Sequence, residues 1–70
     1  MKNVKVLNAL ENGPRTIEEI SEITGIKPME VRRYLLRFVE QGKVESYQKE
    51  GKIFWKLKEK NELEEEFKYV

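Results

Sequence analysis

TIEEISEITGIKPMEVRRYLLRFVEQGKV, residues 16–44, decides the fold. Its opening turn places Ile17, Ile20 and Ile23 at three-residue intervals, a spacing that gathers side chains on one helix face. Thr16 precedes that face and Glu19 follows three residues later, the pattern of a reciprocal capping box. Glu18 and Glu19 oppose the positive end of the helix dipole. Gly25 tolerates a left-handed backbone and ends the helix. Lys27-Pro28 opens the next one, with proline at a favoured first position. On a 3.6-residue period Val31, Tyr34, Leu35 and Phe38 fall in one apolar arc. Met29, Arg32, Arg33, Leu36, Arg37 and Glu40 fall in the opposite arc, and Gly42 closes the helix. A short helix, a glycine turn and an arginine-bearing helix form a helix-turn-helix.

Upstream, Val4, Val6, Leu7, Ala9 and Leu10 form a broad apolar helical face, stopped by Asn12-Gly13-Pro14. Downstream, Val44-Glu45-Ser46-Tyr47 and Ile53-Phe54-Trp55-Lys56-Leu57 are β-prone and flank the turn signal Lys49-Glu50-Gly51-Lys52. They predict an antiparallel hairpin with Val44, Trp55 and Leu57 facing inward. Asn61 and Glu64 form another capping pattern ahead of Leu63, Phe67 and Val70, which share a helical face. The expected elements are helices near 3–12, 16–24 and 28–41, strands near 43–48 and 53–58, and a helix near 62–69. The expected class is mainly α with a small antiparallel β-hairpin: a three-helix core, a hairpin and a short C-terminal helix. Residues 1–60 form the domain, and 61–70 serve packing or dimerisation. The expected core is Leu7, Leu10, Ile20, Ile23, Val31, Leu35, Phe38, Val44, Trp55 and Leu57.

Seventy residues bound the molecule to one small domain. The sequence has no cysteine, histidine or aspartate. Disulfides, thiolate or imidazole metal sites and histidine-based triads are therefore excluded. No glycine-rich phosphate loop or nucleophile–base pair is present, so neither an enzyme nor a cofactor is expected. No apolar run of about 18 residues and no signal-peptide pattern occurs, which predicts a cytoplasmic protein. The net charge of +1 is small, but its distribution is uneven. Residues 26–44 sum to +3 and residues 45–57 to +1, whereas residues 15–25 and 58–70 each sum to −2. All 13 acidic residues are glutamate, a Lys/Glu-rich composition that fits a thermophile or simply a helix-rich chain.

Three helices followed by a hairpin resemble a winged helix-turn-helix domain similar to the MarR- and ArsR-like transcriptional regulators. The resemblance rests on Gly25-Ile26 in the turn, Pro28 opening the second helix of the motif, and Val31, Leu35 and Phe38 as its inner face. Gly42-Lys43-Val44 leading into the wing, Gly51 at its tip and Trp55-Lys56-Leu57 at its end complete it, over about residues 4–58. It implies double-stranded DNA binding for transcriptional regulation, with helix 28–41 in the major groove and the 49–52 wing on the backbone. Winged helices also serve as protein-interaction adaptors, the alternative reading. Lys27 departs from the Ser, Thr or Asp cap usual in such domains, and Lys43 from a common apolar residue. The metal ligands of ArsR-type sensors are missing, and the long dimerisation helices of MarR proteins do not fit in this length.

The candidate DNA-binding residues are Lys27, Met29, Arg32, Arg33, Leu36, Arg37, Lys49 and Lys52. Arg32 and Arg33 lie early in the helix, where base contacts are made, and an arginine fork matches guanine O6 and N7. Arg37, one turn on, suits phosphate, as do the wing lysines and Lys27. The bland reading is a solvated face with Glu30 and Glu40 as the arginines' partners. Glu30 itself either accepts from cytosine N4 or orients Arg33 or Arg37. Met29 and Leu36 either touch thymine methyls or centre a protein-binding patch. Tyr34, Tyr47, Phe54 and Trp55 read mainly as packing residues, with base stacking the alternative. A homodimer is expected through Leu63, Phe67 and Val70, joined by Val4 and Leu7 of the N-terminal helix.

Overall fold

The computed structural model describes residues 1–58. Three helices, α1 (Lys2–Ala9), α2 (Ile17–Thr24) and α3 (Pro28–Glu40), precede two strands, β1 (Val44–Lys49) and β2 (Lys52–Leu57). The strands pair antiparallel, with Val44 opposite Leu57 and Lys49 opposite Lys52. This is a winged helix-turn-helix. The expected helix near 62–69 lies outside the described residues.

Helix α1 ends earlier than residue 12. Leu10 N–H donates to the Leu7 carbonyl and Glu11 N–H to that of Asn8. These i→i−3 bonds tighten the last turn, and Gly13 at φ +135° followed by Pro14 redirects the chain. The capping box of α2 is formed: Thr16 Oγ1 accepts from Glu19 N–H at 3.2 Å, and the Glu19 carboxylate accepts from Thr16 N–H at 3.0 Å. Gly25 takes the left-handed conformation at φ +74°. Two hydroxyls then brace the turn into α3. Ser21 Oγ donates to the Ile26 carbonyl at 2.7 Å, and Thr24 Oγ1 accepts from Ile26 N–H at 3.2 Å. At the far end of α3, Gly42 N–H reaches the Val39 carbonyl and Lys43 N–H that of Phe38. This is a Schellman closure with glycine at the left-handed position.

The hairpin turn has positive φ at both central residues, Glu50 at +52° and Gly51 at +78°. That twist suits a two-residue hairpin loop. The sheet gains one bridge from outside the hairpin. Arg15, in the α1–α2 connection, exchanges both backbone hydrogen bonds with Trp55, at 2.9 and 2.8 Å. Arg15 thereby ties β2 to the start of α2.

The core consists of Val6, Ala9, Leu10, Ile20, Ile26, Val31, Leu35, Phe38, Val44 and Trp55. Burying a side chain of this size contributes roughly 1.5–3 kcal/mol, so α3, with three such residues, is the hub. Leu7, Ile17, Tyr34 and Leu57 are half-buried against it. Ile23 is a correction: it is 56% exposed. Ile20 holds the centre of α2's inner face, and the Gly25 turn sends Ile26 into the core in place of Ile23. Val4 is also exposed, because α1 presents Val6, Ala9 and Leu10 inward and turns Val4 to the opposite side.

Candidate nucleic-acid interface

Helix α3 has two sharply different faces. At 3.6 residues per turn, the direction opposite Val31, Leu35 and Phe38 is shared by Met29, Arg33 and Leu36, which lie within about 60° of one another. Arg32 flanks this face on one side and Arg37 on the other. All eight candidate residues are exposed.

An open groove of about 1060 Å³ runs between α3, the first turn of α2 and the hairpin. Arg32 and Leu36 line it from the helix, Lys52, Ile53 and Phe54 from the wing, and Ile17 from α2. The fold therefore brings Arg32, Leu36 and Lys52 to one cleft. Met29, Arg33 and Arg37 share their helix but lie outside the cleft lining, as do Lys27 at the helix start and Lys49 in the wing. Lys49 pairs with Lys52 across the hairpin, so both flank the turn. Like charges directly opposite one another repel, and neither lysine forms an ion pair among the described residues.

Arg32, Arg33 and Arg37 have no carboxylate partner among the described residues, where the ion pairs are Lys2–Glu30, Arg15–Glu19 and Lys56–Glu45. Glu30 does not orient Arg33 or Arg37. Its carboxylate instead takes Lys2 Nζ of α1 at 3.3 Å in a solvent-exposed pair. Glu40 pairs with none of the arginines among the described residues either. Arg32, Arg33 and Arg37 are thus without an ion-pair partner within residues 1–58.

Neighbouring features are structural. Tyr47 and Phe54 stack across the hairpin with centroids 5.7 Å apart and planes 18° apart. Lys56 Nζ lies 5.8 Å over the Tyr47 ring and pairs with Glu45 at 3.2 Å. This cluster stiffens the outer hairpin face. Lys43 Nζ lies 6.0 Å from the Phe38 ring centroid, a partly apolar setting for a lysine that replaces an apolar residue. The Glu19 carboxyl is held below its ordinary pKa. The Thr16 backbone N–H is the main cause, aided by the Thr16 side chain and the Arg15 and Lys52 charges.

Sequence reasoning missed Ile53, which is 56% exposed on the wing side of the groove. Its signal was the two-residue alternation Ile53, Trp55, Leu57, which puts all three on one hairpin face. Trp55 and Leu57 meet the core, whereas Ile53 projects past it toward α3.

Comparison with known proteins agrees with this geometry. A family model described as bacterial regulatory protein, arsR family, matches residues 2–46. No curated protein sequence matches the chain. Among solved structures, a predicted DNA-binding transcriptional regulator from E. coli superposes with a TM-score of 0.74 at 23% identity, over 96% of this chain and 74% of that one. Diamide-treated YodB from B. subtilis gives 0.78 at 23% identity, over 99% and 73%. Stf76 from the Sulfolobus islandicus plasmid-virus pSSVx gives 0.71 at 25% identity, over 96% and 94%.

Proposed function

The chain belongs to the ArsR family of bacterial regulatory proteins and is a DNA-binding transcriptional regulator, and on that premise we propose that α3 is its reading head in the major groove of double-stranded DNA. The observation that carries this is the set Arg32, Arg33 and Arg37 on the exposed face of α3, unpaired among the described residues. Arg33 faces the bases, where its fork suits guanine. Arg37 and Lys27 meet phosphates, and Arg32 with Lys52 grips a backbone passing through the groove between helix and wing. Lys49 follows the same backbone. Residues 1–60 act as the DNA-binding unit, working in the cytoplasm without a catalytic step, and the Lys/Glu-rich composition supports a thermophilic source.

Duplex affinity measured over a salt series tests the reading. A steep electrostatic slope is expected, since each neutralised phosphate contributes about −0.9 to it. Arg33→Ala costs about 1–3 kcal/mol on a preferred site, whereas Lys52→Ala weakens all sequences alike and flattens the slope by about one. Unaltered low-salt affinity after changing Arg32, Arg33 and Arg37 together to alanine rules α3 out as the reading head.

We further propose that two copies pair, through residues 61–70 with Leu63, Phe67 and Val70 and through Val4 of α1. Two-fold pairing would match two half-sites. Sedimentation at micromolar concentration is expected to give a dimer; a monomer that stays monomeric on DNA ends this part of the reading.

A further inference from the structure

Two large apolar side chains stand among the cationic candidates of α3, and the proposed function gives them no role. Met29 is 79% exposed and Leu36 47% exposed, both on the outward face of α3. Exposed apolar residues scattered singly need no explanation. These two bracket Arg33 on one face of one helix, and the surrounding charge is positive. A protein partner would have to accept arginines that are unpaired among the described residues along with the apolar pair. A DNA duplex complements both features, since phosphates surround the groove and thymine supplies the one methyl group on its floor.

We propose that Met29 and Leu36 read thymine methyl groups on either side of a guanine held by Arg33. The inference rests on the proposed function and names the class of site it recognises. The spacing agrees. Along the helix axis Met29 lies about 6 Å from Arg33, and Leu36 about 4.5 Å beyond it. Those separations correspond to one to two base steps of about 3.4 Å. An arginine fork on guanine O6 and N7 fixes the helix in register. The flanking apolar side chains then cover whatever C5 substituent the neighbouring pyrimidines carry. Cytosine offers a C–H there, and thymine offers a methyl whose burial is favourable.

The test uses the full chain and a duplex selected by it from a random-sequence pool. Each thymidine of that duplex is replaced in turn by deoxyuridine, which pairs identically and lacks only the methyl. The expected result is a loss of about fourfold in affinity at each contacted position, the worth of one buried methyl. In a Met29→Ala/Leu36→Ala variant the thymidine and deoxyuridine duplexes bind equally, with the salt slope and the thermal midpoint unchanged. Wild-type binding that is indifferent to the methyls, or that shows no sequence preference at all, overturns the inference and leaves the apolar pair to a protein partner. Absence of any duplex binding at low salt overturns the proposed function, and this inference with it.

Discussion

The two helices of the motif begin in opposite ways. Helix α2 is locked from within: Thr16 and Glu19 cap each other at its start, and Gly25, Ser21 and Thr24 secure its end. Its first turn is acidic, and its charge is spent on its own dipole and on Arg15. Helix α3 begins at Lys27 with no side-chain cap, and its arginines find no partner within residues 1–58. Its inner face is the most buried in the molecule, and its outer face is the least compensated. Local side-chain bonds close both ends of α2, and buried Ile20 docks it on the core. Helix α3 lacks a side-chain cap at its start and is held chiefly by the burial of Val31, Leu35 and Phe38, with Arg32, Arg33 and Arg37 unpaired among the described residues. The core thus gives rigidity to the helix that carries the exposed arginines, and the turn after α2 fixes the angle between the two helices.

Leu35→Ala attacks that arrangement at its hub and should have the largest effect. Leu35 is fully buried, and such a truncation costs about 2–5 kcal/mol. A domain of this size has only about 4–10 kcal/mol of stability. Chemical denaturation should show the midpoint collapse, and α3 should lose its helicity with the rest of the fold. A small shift would mean that α3 is held by something other than its inner face, and the contrast between the helices would fail.

The length of each helix explains how much was legible beforehand. Helix α3 spans 13 residues, enough turns for Val31, Leu35 and Phe38 to define its inner face by period alone. Helix α2 spans eight, so Ile17, Ile20 and Ile23 fit several rotations equally well, and the period alone does not separate exposed Ile23 from buried Ile20. Ile26 was missed because it follows Gly25, where no period exists to read. The capping box and both glycine stops were visible because their chemistry is local. The Arg15–Trp55 bridge and the Lys2–Glu30 pair were not, since each joins residues far apart in sequence and leaves no pattern in either segment. For Met29, Arg32, Arg33, Leu36 and Arg37, exposure follows from the period of α3. Their division into a cleft set and an outer set depends on where the hairpin sits, which periodicity cannot supply.

Thr16→Ala should sharpen the contrast from the side of α2. Loss of the cap costs about 1 kcal/mol, measurable as a shift of about 4–8 °C in Tm for a domain this small. The same lock carries a pH signature. The Glu19 carboxyl titrates below its ordinary value in the folded state. Its stabilising contribution is therefore complete above the ordinary carboxylate range and disappears as pH falls through the lowered pKa. Glu19→Gln should remove that acid-sensitive component, leaving a flatter stability profile between neutral and acidic pH. An unchanged profile would place the acid sensitivity on another carboxylate.

Lys27→Ser should give α3 the kind of start that α2 has, and its effect should be the smallest. Pro28 already occupies the first helical position, and Glu30 stands three residues after residue 27, as Glu19 stands after Thr16. A hydroxyl at 27 can accept from the N–H of Met29 or Glu30, worth about 0.5–1 kcal/mol. Part of that gain is offset, because Glu30 must leave Lys2 to complete the reciprocal half of the box. Stability should therefore rise by only a few degrees in Tm. Duplex affinity should move the other way, weakening across all sequences as the salt slope flattens by about one phosphate. Opposite signs for stability and binding would show that the missing cap is given up for a cation at the DNA backbone. If both improve, Lys27 touches no phosphate, and the bare start of α3 is a site that selection left unoptimised.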